Sequence, residues 1–247
     1  MDVVEFAPGG YRYIAAAFQF SGGVAALTGH RITRVRFQSP VPLAAGFRRI
    51  EAMLTAAGRP LTALCACELR SPAPFTEAGF RAFNEVYVVT LKAWGLFADG
   101  DNPVARSNVC PTIDPPGEPS FHAFSFTEVE PNAPASFVIS GCAEAEEDGA
   151  TYRIVSLNDT SVTGMRNKAR FVVGDMERRL AALGVAPSDV TATQLYTVED
   201  VHPFLADDIM RHGVAPAGLT WQYARPPMVG LEFEMDCRGV FHERVVR

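Results

Sequence analysis

Hydrophobic residues recur every three or four positions at Leu43, Phe47, Ile50, Leu54 and Ala57, which predicts a helix with one apolar face. Gly58 follows where a C-cap glycine would end it. The same rhythm returns at Val162, Met165, Ala169, Val172, Met176, Leu180 and Leu183, and Gly184 closes it. A second helix is predicted after each. The first runs through Phe80, Phe83, Tyr87, Leu91, Trp94 and Phe97; the second is shorter, through Val201, Leu205 and Ile209. Runs of strand composition lie around them at 17–28, 31–38, 62–70, 105–110 and 121–129. They return at 136–143, 150–157, 189–197, 218–223 and 229–237.

The order β-β-α-β-α-β-β therefore occurs twice. Local matches support a repeat. Leu54-Thr55-Ala56-Ala57-Gly58 is echoed by Leu180-Ala181-Ala182-Leu183-Gly184, and Leu64-Cys65-Ala66-Cys67-Glu68-Leu69 by Val190-Thr191-Ala192-Thr193-Gln194-Leu195. Phe18-Gln19-Phe20-Ser21-Gly22 pairs with Phe137-Val138-Ile139-Ser140-Gly141. The expected architecture is α+β: two tandem halves, each a mixed sheet with two helices on one face. The halves span 1–130 and 136–247, joined by a Pro-rich link near 131–135.

Composition narrows the function. Of 247 residues 48% are hydrophobic and 20% charged, enough apolar material for full cores. The net charge of -6, without a basic stripe, argues against nucleic acid as a partner. No apolar run approaches the ~20 residues of a membrane helix, and the first residues lack the pattern of a signal peptide. Five scattered cysteines read as reduced core thiols of a soluble, cytoplasmic protein. His30, His122, His202, His212 and His242 have no metal-ligand spacing, although His122 falls near the site proposed below. Glu144-Ala145-Glu146-Glu147-Asp148-Gly149 lacks the ligand order of a calcium loop and reads as a solvated hairpin tip. Dinucleotide, P-loop and nucleophile-elbow motifs are missing.

Arg106 stands out. Its planar guanidinium matches a carboxylate with two parallel hydrogen bonds, and it follows Pro103 at a strand start, on an element rigid enough to aim it. Asn108 and Cys110 share its strand face.

Asn84-Glu85-Val86-Tyr87 followed by Pro103-Val104-Ala105-Arg106-Ser107 resembles the N-x-x-Y and P-A-R-S signature of the RidA (YjgF) family, with one extra residue after the proline. Phe137-Val138-Ile139-Ser140-Gly141 resembles that family's Ser-Gly strand beside the ligand, and Gly230-Leu231-Glu232-Phe233-Glu234 its closing strand. The resemblance implies deamination of imines or enamines without metal, cofactor or covalent nucleophile. Arg106 would grip the substrate carboxylate and Glu232 would position or activate water, with Asn108, Ser140 and Gly141 lining the pocket. Aligned halves place Gly218 opposite Arg106 and Ser125 opposite Glu232. Length, duplication and the single arginine look most like the 2-aminomuconate deaminase group. That implies a small anionic substrate, 2-aminomuconate or 2-amino-5-chloromuconate, converted to the 2-hydroxymuconate and ammonia. Asn108, Arg166 and Arg225 are open choices for a second carboxylate. A broad deaminase of reactive enamines and imines, a non-catalytic metabolite binder and a chorismate-cleaving enzyme of related fold are the alternatives. The family also implies a homotrimer, six similar halves about a threefold axis.

Overall fold

The computed structural model of the chain describes residues 1–16, 19–98, 100–148 and 151–247. Phe18 and Gly149, both used in the motif comparisons above, lie outside the described residues. In the first half, β1 (Val3–Phe6), β2 (Tyr11–Ile14), β3 (Gly23–Ala26) and β4 (His30–Pro42) lead into α1 (Leu43–Ala56). Then come β5 (Leu64–Arg70), α2 (Glu77–Ala93), β6 (Ala105–Pro111) and β7 (Ser120–Val129). The second half has β8 (Phe137–Ala143), the hairpin β9 (Ala145–Asp148) and β10 (Thr151–Ile154), α3 (Val162–Ala182), β11 (Ala192–Tyr196) and α4 (His202–Asp208). It finishes with β12 (Leu219–Gln222), β13 (Ala224–Arg225), β14 (Glu234–Gly239) and β15 (His242–Val246).

The expected α+β class is present: two mixed sheets, each carrying two helices. Local chemistry sets the helix limits. Thr76 Oγ1 accepts the Gly79 N–H at 3.1 Å to open α2, and Ser161 Oγ accepts that of Gly164 at 3.2 Å to open α3. Gly58 and Gly184 take φ of +65° and +68° just past α1 and α3, the left-handed cap their positions predicted. On α1, Phe47, Ile50 and Leu54 pack with Tyr87 and Leu91 of α2 onto Leu69, Phe121, Phe124 and Phe126. On α3, Met165, Val172 and Leu180 pack with Phe204 of α4 onto Phe137, Ile139, Leu195 and Met235. The other faces of the sheets meet through Tyr11, Tyr13, Val24, Ile32, Cys65, Ala66 and Ala105. Beyond that apolar patch the inter-sheet layer is polar. Arg34 Nε pairs with Glu68 Oε1 at 2.5 Å, and Asp236 Oδ2 accepts Ser107 Oγ at 2.7 Å and Tyr196 Oη at 2.8 Å.

The sheets do not respect the midpoint of the chain. One runs β1-β2-β3-β8-β14-β11-β12, so the first three strands of the chain extend the sheet of the second half. The other runs β13-β6-β5-β7-β4-β15, with the final strand parallel to β4. The sequence reading had no place for β1, β2 or β15.

Two further readings need correction. The last strand begins at Glu234 rather than 229, because residues 229–233 are drawn off by other contacts: Val229 N–H bonds to Phe75 O, while Glu232 and Phe233 N–H bond to Glu144. Glu144 is no solvated tip. It is fully buried, paired with Lys168 Nζ at 3.1 Å, and its carboxylate accepts those two backbone N–H groups at 2.6 and 3.1 Å.

Candidate active site

Strand β6 lies parallel to β5, with Arg106 opposite Cys67, and this aims the Arg106 side chain at the buried face of α2. There Phe80, Phe83, Asn84 and Tyr87 recur at helical spacing and face inward. The guanidinium carbon sits 4.8 Å from the Tyr87 ring centroid, 5.5 Å from Phe83, 5.6 Å from Phe80 and 4.7 Å from Phe20, which arrives from the link between β2 and β3. Arg106 is 2% exposed, and its Nη1 and Nη2 have no hydrogen-bond partner among the described residues. Burial pushes its pKa down to about 10, opposed by Tyr87, Cys67 and Glu234, so it remains charged at neutral pH. Four ring faces offset part of the lost hydration, but a buried, unpaired cation still costs several kcal/mol. Such a group has hydrogen-bonding capacity left for an anion.

Other polar atoms without partners surround it. Asn84 is fully buried on the same helix face, and neither its Oδ1 nor its Nδ2 is paired among the described residues. Asn108, two residues along β6 on the Arg106 face, accepts Ser71 Oγ at 2.9 Å through Oδ1, while its Nδ2 is unpaired. Leaving such atoms unsatisfied in a folded interior is expensive. Asn84 was visible in the sequence as part of the N-x-x-Y motif, but its role was not; the signal is a carboxamide among aromatic positions on one helix face.

The second half completes the surroundings. Ser140 of β8 accepts the Arg106 backbone N–H through Oγ at 3.0 Å and donates to the Ser21 carbonyl at 2.6 Å. Gly141 lies where a Cβ would displace the Glu234 carboxyl and come within 3.3 Å of Ser107 Cα, so glycine leaves that carboxyl its place between β8, β6 and β14. Of the residues singled out from sequence, Asn108 shares the Arg106 face of β6, Ser140 bonds to the Arg106 backbone and Gly141 approaches Ser107. Glu232 is placed otherwise. Its carboxylate is engaged by Arg225, and no hydrogen bond or ion pair among the described residues joins it to Arg106. Glu234, two residues on, is the carboxyl beside Gly141. Burial, and then the charges of Asp236 and Glu144, raise its pKa well above the usual carboxylate range against the pull of Arg70 and Arg106.

Of the candidates for a second carboxylate, Arg166 is bound to Asp208 at 3.0 Å and Arg225 to Glu232, which leaves Asn108 Nδ2 next to Arg106. His122 lies among Arg70, Glu68 and Arg34, and burial with the Arg70 charge drives its pKa down to about 3. All five cysteines are buried and unpaired. Among the described residues no cluster could hold a metal ion.

Ladder register also refines the comparison of the halves. Cys67 pairs with Arg106, and its repeat counterpart Thr193 pairs with Leu219, so Leu219 rather than Gly218 occupies the arginine position. Arg70 pairs with Ser120 and its counterpart Tyr196 with Glu234, which makes Ser120 the first-half equivalent of Glu234. One half keeps the cation and the other the carboxyl.

Two mixed sheets, each carrying two helices, with a buried arginine on an Ala-Arg-Ser strand form an α+β fold of the class that the RidA resemblance implied. More narrowly, the chain belongs to the 2-aminomuconate deaminase family (CnbZ), whose sequence model matches residues 3–244. It is 49% identical over 249 residues to a 2-amino-5-chloromuconate deaminase from Comamonas testosteroni, covering 99% of each chain. Among solved structures, a chorismatase aligns with 15% identity and a TM-score of 0.49 over 88% of this chain and 77% of that one. A YjgF/YER057c/UK114 family member from Mycobacterium tuberculosis aligns with 14% identity and a TM-score of 0.31 over 47% and 83%.

Proposed function

We propose that the chain hydrolyses an enamine or imine dicarboxylate of the 2-aminomuconate type, releasing ammonia and the 2-hydroxymuconate or its keto tautomer. The observation that carries this is Arg106, a buried guanidinium with both terminal nitrogens unpaired, beside the free amide atoms of Asn84 and Asn108. Family membership and the 49% identical deaminase support the substrate class. In this reading the substrate carboxylate supplies the missing partner of Arg106, and Asn108 Nδ2 contributes a further donor. Proton transfer to the enamine carbon gives the imine. Water adds to the C=N carbon, a proton moves to nitrogen, and the carbinolamine C–N bond breaks to release ammonia. Glu234 is assigned the proton donor, because burial raises its pKa and favours the protonated acid. None of these steps calls on a metal. The division at 131–135, a homotrimeric assembly and a cytoplasmic location belong to the same proposal, on the strength of the family resemblance.

The test is ammonia release from 2-aminomuconate by the wild type, Arg106→Ala and Arg106→Met. Wild type should turn over, and both variants should fall by ~10²-fold or more as the clamp is lost. Arg106→Met should also melt at a higher temperature, since an apolar side chain replaces an uncompensated buried charge. Undiminished turnover in both variants would remove Arg106 from the reaction.

A further inference from the structure

Phe20 is the odd member of the aromatic cage. Phe80, Phe83 and Tyr87 project from α2 and belong to its packed core, whereas Phe20 comes from the connection between β2 and β3 and is only half-buried. Its ring is nevertheless nearest to the guanidinium, 4.7 Å from Cζ. The backbone on both sides is fastened. Gln19 O accepts Asn102 Nδ2 at 3.0 Å, and the Ser21 N–H donates to Val104 O at 3.0 Å. The ring is therefore held over Arg106 by contacts to the segment leading into β6, not by helix packing.

We propose that Phe20 determines specificity for planar, conjugated substrates; the inference rests on the deaminase reading above. A carboxylate bound by both guanidinium nitrogens lies in the guanidinium plane. A ring with its centroid 4.7 Å from the guanidinium carbon is within reach of the carbon atoms next to that carboxylate. In 2-aminomuconate every carbon is trigonal, so the conjugated chain continues flat beneath the ring and gains its stacking contact. A short aliphatic imine acid turns out of the plane after its imine carbon and gains little. Phe20 would then improve kcat/KM for the conjugated substrate by about 3- to 10-fold relative to the aliphatic one, the range of one ring contact.

The experiment compares wild type, Phe20→Leu and Phe20→Tyr on 2-aminomuconate and on 2-iminobutyrate, measuring ammonia release. In wild type and Phe20→Tyr the ratio of kcat/KM should favour the conjugated substrate. In Phe20→Leu that ratio should collapse by about 3- to 10-fold, mainly through KM, with a cooperative thermal melt as the sign of a folded enzyme. An unchanged ratio in Phe20→Leu, or an equal loss on both substrates in both variants, overturns the specificity role. Wild type inactive on 2-aminomuconate would instead defeat the functional reading itself, a different result.

Discussion

Ser140 and Arg106, one from each half of the chain, are joined by a single hydrogen bond: the Arg106 backbone N–H reaches Ser140 Oγ at 3.0 Å. Because that hydroxyl also donates to Ser21 O at 2.6 Å, it fixes the start of β6 against β8 and the segment entering β3. Arg179 of α3 reaches the same junction, with Nη1 3.3 Å from the Gly22 carbonyl.

Ser140→Ala should therefore do two things. Loss of a buried hydrogen bond should lower stability by about 1 kcal/mol in urea unfolding. The freed strand start should also lower kcat/KM by about 10-fold, since small misplacements of a clamp are costly. Lower stability with unchanged kcat/KM would confine Ser140 to packing.

Glu234→Gln should raise stability and reduce turnover. The folded pKa of Glu234 lies above its usual 4.5, so the folded state prefers the protonated acid. Wild-type stability is then lost as pH rises from about the unfolded pKa towards the folded one. Glutamine keeps the shape without that penalty. Thermal melts from about pH 5 to 8 should show a shallower decline for the variant, and ammonia release should fall.

The Arg34–Glu68 pair has the opposite sign. Burial alone would raise the Glu68 pKa, but Arg34, then Arg238 and His122, hold it well below 4.5. Its stabilisation is complete above the unfolded pKa and disappears as pH falls through the folded one. Glu68→Gln removes the carboxylate that pairs with Arg34 Nε and leaves Glu243, 3.3 Å away, as its remaining ion-pair partner among the described residues. The variant should lose about 3–5 kcal/mol at neutral pH, and its stability should depend less on pH below the carboxylate range. A variant as stable as wild type would contradict this.

The helices were legible because each packs one face on a sheet, so Phe47, Ile50 and Leu54, or Met165, Val172 and Leu180, write that face into the chain at helical spacing. Arg106 was legible through its motif. Glu234 was not, because two glutamates two residues apart share a strand face and only tertiary contacts decide where the strand begins. Those contacts are made by Glu144, 88 positions earlier than Glu232. β15 escaped because its partner, β4, lies in the opposite half, and pairing at that separation leaves no local pattern; β1 and β2 pair with each other, four residues each, too short to show a clear alternation. The position of Leu219 needed the ladder itself, since a one-residue slip beside Gly218 cannot be seen without a partner strand.

The exchange of outer strands makes the fusion of the two repeats hard to undo. Were the gene cut in the Pro-rich link, the amino-terminal product would carry a three-stranded ribbon whose inner strand, β3, has lost its neighbour β8 to the other polypeptide. The carboxy-terminal product would bring both strands, β13 and β15, that edge its sister's sheet. Each piece alone would leave sheet edges unpaired, and reuniting them covers those edges, which favours inheritance of both repeats as one unit.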